Sequence, residues 1–124
     1  MQVAFGLAAA ELAKAEQLEQ TVMASWNNGE EVDMEILTDY AKVINSYCNA
    51  LDLMGNYRTE QQQYEKVLTV LSKYSEMHPD RFNITMIIYI KYAAVLWKQK
   101  KFKKSSEVLK LALSFLLTDR KSVV

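Results

Sequence analysis

From residue 3 onward apolar side chains return every third or fourth position, and the pattern breaks at only a few corners. This is the period of amphipathic α-helices. The first helix is expected over about 3–26, where Leu12, Ala15, Leu18, Val22, Met23 and Trp26 form the stripe and Asn27-Asn28-Gly29 ends it. The second is expected over about 33–54, opened by Asp33 as N-cap and carried by Ile36, Leu37, Tyr40, Val43, Ile44, Tyr47, Cys48 and Leu51. The corner Met54-Gly55-Asn56-Tyr57 leads into a third, about 58–76, with Tyr64, Val67, Leu68, Leu71 and Tyr74 inward. His78-Pro79 stops it, because proline disfavours an α conformation in the preceding residue. A fourth helix, about 81–99, contains Ile87-Ile88-Tyr89-Ile90, which alone reads equally well as a strand. Its apolar set runs on through Ala93, Leu96 and Trp97 without a turn, which favours a helix. Past Lys100-Lys101, a fifth is expected over about 103–118, with Val108, Leu109, Ala112, Leu113, Leu116 and Leu117 inward.

The stretch from Tyr40 to Tyr74 is written twice. A slide of 45 residues sets Tyr47, Leu51, Tyr57, Leu68 and Leu71 on Tyr92, Leu96, Phe102, Leu113 and Leu116. A recurring helical hairpin marks a stacked α-repeat, in which each unit is too small to bury its own apolar face. The first helix aligns, 45 residues upstream, with the second member of a hairpin. Its partner is expected before Met1, and Asp119–Val124 read as the opening of a further element, so the chain is expected to be part of a longer protein.

Composition agrees with long helices and few turns: the chain has 124 residues, 3 Gly and 1 Pro, and is 50% hydrophobic. Fifteen basic residues balance fifteen acidic ones, so the overall basic excess of a nucleic-acid binder is missing. The single Cys48 forms no internal disulfide, and a cytoplasmic location is the simpler reading. No run of about 18 apolar residues predicts a membrane span. The apolar Val3–Ala10 segment lacks a basic stretch before it and reads as helix, not as a targeting segment.

The hairpin NSYCNALDLMGNYRTEQQQYEKVL resembles the tetratricopeptide (TPR) repeat. Cys48 sits at that family's small mid-helix position, Gly55 and Tyr57 form its corner, and Tyr64 takes the second-helix aromatic position. In the second copy Ala93, Phe102, Ser105 and Ala112 fall at the matching places. Glu60 stands where the family has Ala, and Lys100 where it has Gly. The spacing of 45 exceeds the usual repeat, which is about 34 residues. Long repeats of this kind resemble the C-terminal regions of helix-turn-helix regulators from Gram-positive bacteria, where a TPR array often senses a signalling peptide. The resemblance implies an all-α, right-handed superhelix of about five antiparallel helices in a single domain. It also implies a peptide- or protein-binding role as the sensing or dimerising part of a transcription regulator. A homodimer would suit this role, and DNA would be contacted only through a domain outside this chain. The alternative is a scaffold segment that holds a partner protein constitutively.

By the same resemblance the groove is lined by the first helix of each hairpin. That places Asn45 and Asn49 of the second helix, and Lys91, Trp97 and Lys98 of the fourth, as candidate binding residues. Asn offers a donor and an acceptor to a peptide backbone, and Lys can meet a carboxylate. Asn45 and Asn49 share a helix face, where Asn is a poor helix former and so calls for a reason. The competing reading makes both solvated surface residues and Trp97 a packing or interface residue. Tyr40, Tyr47, Tyr89 and Tyr92 read as core with hydroxyls at the rim, and Cys48 as a small buried residue. The Lys98–Lys104 cluster reads as a solvated corner, with contact to nucleic acid or an acidic partner as the alternative. Neither a phosphate-binding glycine loop nor a paired-carboxylate motif occurs. One His and one Cys make no zinc site and no convincing nucleophile pair, so no enzyme and no cofactor is expected. Asn83-Ile-Thr matches a glycosylation acceptor that would be silent in the cytoplasm.

Overall fold

The computed structural model describes residues 2–75 and 82–123. Among them the ordered elements are all α-helices: α1 (Gln2–Asn27), α2 (Met34–Leu53), α3 (Tyr57–Ser75), α4 (Phe82–Lys98) and α5 (Phe102–Val123). The all-helical expectation therefore holds, and the Ile87–Ile90 run is helical. The 3.6-residue period continued on both sides of that run outweighs its local strand preference. Helix α5 runs past the expected end to Val123, through a stretch with no Gly or Pro to stop it. The His78-Pro79 stop lies outside the described residues, as do the side chains of Tyr74, Leu116 and Leu117.

The chain forms two compact units, Met1–Asn56 and Tyr57–Val124. In the first, α1 packs on α2. Asp33 caps α2 as expected: its Oδ1 accepts from the Glu35 amide at 2.8 Å and the Ile36 amide at 3.3 Å. Ala15 and Val22 of α1, and Leu37, Tyr40, Ile44, Cys48 and Leu51 of α2, are buried. Leu12 and Met54 close over Tyr47, Ala50 and Leu51 at one end. In the second unit α4 packs on α3 and α5 packs on α4. Tyr64, Val67 and Leu71 of α3, Ile88, Val95 and Leu96 of α4, and Val108 and Ala112 of α5 are buried. The four tyrosines read as core, Tyr40, Tyr47, Tyr89 and Tyr92, are all buried, as is Cys48. Leu109 and Leu113 depart from expectation, being exposed. Ser105, Val108 and Ala112 are the residues of α5 that are buried instead.

The 45-residue echo is visible in the backbone at the corners. At Gly55 the amide donates to Asp52 O at 3.0 Å and the next amide, Asn56, to Leu51 O at 2.9 Å. At Lys100, 45 residues on, the amide donates to Trp97 O and that of Lys101 to Leu96 O, both at 2.9 Å. The same paired bonds close α1 at Gly29. This Schellman arrangement satisfies carbonyls that a helix end leaves open, and it needs a left-handed residue. Gly55 sits at φ 72° and Lys100 at φ 64°. Glycine adopts this conformation freely, whereas a residue with a Cβ is disfavoured there by about 1–2 kcal/mol. A Cβ added at Gly55 would meet nothing within 4 Å, so its substitution should cost backbone conformation alone. Thermal unfolding followed by circular dichroism should therefore show Lys100→Gly stabilised by about 1 kcal/mol and Gly55→Ala destabilised by about as much. Equal midpoints for Lys100→Gly and the parent chain would mean that the corner carries no such strain.

Candidate functional site

Two features of the second unit stand out: a polar seam that fixes three helices in register, and an apolar groove beside it. The seam centres on Glu65 of α3. Its Oε2 accepts from Tyr92 Oη at 2.6 Å, Lys104 Nζ at 2.9 Å and Gln61 Nε2 at 3.3 Å. One turn away Gln61 Oε1 accepts from Gln99 Nε2 at 2.8 Å and Lys101 Nζ at 2.9 Å. Ser105 Oγ donates to the Ala93 carbonyl at 2.8 Å, tying α5 to α4. Residues from α3, α4 and the start of α5 thus share two acceptors.

The charges around this seam follow from its wiring. Burial opposes ionisation of Glu65, but the hydrogen bonds from Tyr92, Lys104 and Gln61 outweigh it and hold the carboxyl below its ordinary value. Tyr92 is pushed up to about 12, first by burial and then by its bond to Glu65, so it stays a hydroxyl donor. The bond to Glu65 also raises Lys104. The Lys104–Glu65 pair is 48% and 38% exposed, so its role is registry more than energy. Gln61, Glu65 and Gln99 were not among the expected site residues. The signal for Gln61 and Glu65 was polar side chains on the same side of α3 as the inward Tyr64 and Leu68; Gln99, just past the end of α4, had none.

The groove runs along α4 and α5. It encloses about 370 Å³ and is lined by Ile90, Ala94, Trp97 and Lys98 of α4 with Ser105 and Leu109 of α5. Trp97 is 63% exposed and meets Phe102 edge-on, with ring centroids 5.7 Å apart. The Lys98 ammonium stands 5.4 Å from the centre of the Tyr57 ring. Two of the expected binding residues, Trp97 and Lys98, are thus brought together, and Lys91 lies half-buried on α4. Asn45 and Asn49 lie on α2 in the first unit. Asn49 is exposed, while Asn45 is half-buried with its Oδ1 enclosed and making no hydrogen bond. A cleft of similar size in that unit, about 340 Å³, is lined by Lys14, Gln17 and Leu18 of α1 and Asp39, Lys42 and Val43 of α2.

The Lys98–Lys104 corner is more structured than a solvated loop, since Lys101 and Lys104 reach back to α3. Among the described residues, no group of three His, Cys, Asp or Glu side chains is placed to hold a metal ion. Among the same residues, no helix is long and apolar enough to cross a membrane. No protein-family model, curated protein or solved structure matches the chain.

The seam makes a pH prediction for the second unit. A carboxyl whose folded pKa is lowered contributes stability above its unfolded value, near 4.5, and loses it as pH falls through the lower folded value. The parent chain should lose thermal stability between about pH 5 and 3 more steeply than Glu65→Gln. Parallel acid limbs for the two would show that Glu65 contributes nothing to the acid response.

Proposed function

We propose that this chain is a TPR-like helical repeat module that binds a peptide or protein partner. In this reading it is the sensing or dimerising region of a bacterial transcription regulator. The observation that carries the binding role is the open α4–α5 groove, where Trp97, Ile90 and Leu109 are left in water. Large apolar side chains gathered on one exposed face are the usual mark of an interaction surface. The echoed corners at Gly55 and Lys100, and the matching burial of Cys48 and Ala93, support the repeat relationship. Regulation would follow by population shift. A ligand that favours one arrangement of the helices biases whatever effector domain is joined to them.

A constitutive scaffold is the second reading. The apolar lining of the groove favours it, since such a surface suits a packed helix better than a freely diffusing polar peptide. A helix-turn-helix domain encoded in the same natural gene would support the regulator, and a long run of further repeats the scaffold.

Trp97→Ala should weaken binding of the natural partner by roughly tenfold or more, since buried interface tryptophans commonly contribute above 2 kcal/mol. Calorimetric titration checks this. Affinity indifferent to Lys91, Trp97 and Lys98 replaced together would remove these α4 residues from the binding site.

A further inference from the structure

The chain is neutral overall, yet its charge is sorted along the sequence. From Ala15 to Ala41 every charged residue is acidic, and from Arg81 to Ser106 every one is basic. The acidic stretch lies in the first compact unit and the basic stretch in the second. Each is densest at a helix corner. Glu30, Glu31, Asp33 and Glu35 gather between α1 and α2, and Lys98, Lys100, Lys101, Lys103 and Lys104 between α4 and α5. All of these side chains are exposed.

Local structure accounts for only part of this sorting. The dipole of a helix favours anions at its start and cations at its end. That explains Asp33 and Glu35 at the start of α2 and Lys98 in the last turn of α4. Lys101 and Lys104 are held by Gln61 and Glu65. Glu30, Lys100 and Lys103 are placed against the local preferences. The Glu30 amide closes α1, whose last turn carries no basic residue, so its carboxylate stands at an end that favours cations. Lys100 takes the left-handed backbone that suits glycine. Lys103 lies in the first turn of α5, which has no acidic residue to balance it. Glu30, Glu31, Lys100 and Lys103 form no ion pair with another described residue. Charges placed where their own fold gains nothing serve a contact outside it.

Both corners are also preformed. Buried Val32 and the Asp33 cap pin the acidic one. The bonds from Lys101 and Lys104 to α3 pin the basic one. Phe102, 52% exposed between Lys101 and Lys103, adds apolar contact there. Preformed surfaces lose little freedom on docking.

We infer that the acidic α1–α2 corner of one copy of the chain docks on the basic α4–α5 corner of a second copy. Charge chooses the occupant: the two corners are opposite in sign and belong to the same chain, and a neutral chain meets its own kind without net repulsion. Exposed ion pairs each contribute little, so the contact is weak, salt-dependent and made by several pairs together. It supplies surfaces for the dimerising role proposed above and rests on that reading. Lys100 and Lys103 lie outside the groove lining, so failure of this contact leaves the Trp97 titration to judge the groove.

Sedimentation equilibrium of the full chain tests it, with Lys100→Glu/Lys103→Glu and Glu30→Lys/Glu31→Lys as the charge reversals. The parent should self-associate, with a Kd at least about tenfold weaker at about 500 mM than at about 50 mM salt. Each reversal alone should be monomeric with helicity unchanged. An equimolar mixture of the two should associate again, because each offers the charge that the other has lost, and misfolded variants would not do so. A parent that is monomeric at low salt overturns the contact, as does self-association indifferent to salt and to both reversals. Reversals that abolish association without rescue in the mixture overturn the pairing of these two corners. A monomeric parent that binds polyglutamate or an oligonucleotide through Lys100 and Lys103 gives the basic corner to a foreign acidic partner and overturns the second copy.

Discussion

Helix α4 is apolar on nearly every side, so it has to be covered from two directions at once. It packs on both α3 and α5, and Ile88, Ala93, Val95 and Leu96 are all buried. A helix of this length cannot bury two faces against a single neighbour, and isolated it would be marginal in water. Its stability comes from packing, and the packing fixes much else in the second unit. It sets the hairpin corner at Lys100, the registry of Gln61 and Glu65 with Gln99 and Tyr92, and the close approach of Ser105 to the Ala93 carbonyl. The third side of α4, with Ile90, Ala94 and Trp97, is left over, and the groove is made from it.

Polar residues set the order in which these apolar faces meet. Hydrophobic contact is non-directional and would tolerate a one-turn slip of α4 along α3. Glu65 accepting from Tyr92 and Lys104, and Gln61 accepting from Gln99 and Lys101, do not tolerate that slip, because a displaced helix leaves partly buried polar groups without partners. In the first unit the enclosed Oδ1 of Asn45 and hydroxyl of Tyr40 make no hydrogen bond. The two units are thus held with different degrees of polar specification, and the better specified one carries the groove.

The helices were legible in the sequence because their apolar period is long and turn residues are few. The Asp33 cap and the Gly29 and Gly55 corners were legible because each has a local chemical requirement that its residue type meets. Lys100 shows the limit: its left-handed backbone contradicts its own preference, and only its place at a corner where the resembled family has Gly pointed to it. Leu109 and Leu113 were read as inward because periodicity marks an apolar face without saying whether anything covers it. The groove was not legible as such. Resemblance named Trp97 and Lys98 as lining a surface shared by the second and fourth helices, whereas the cleft they line lies between α4 and α5. Leu109 and the Glu65 seam depend on which helix lies against which, which spacing along the sequence does not carry.

The central claim is that the outer face of α4 and α5 is where this molecule meets its partner. Chemical-shift mapping of the isotopically labelled full chain, titrated with a helical peptide ligand, tests it most directly. The largest changes should fall on Ile90, Ala94, the Trp97 indole, Leu109 and Leu113. Changes confined to α1 and α2, with the α4–α5 face unmoved at saturation, would contradict it.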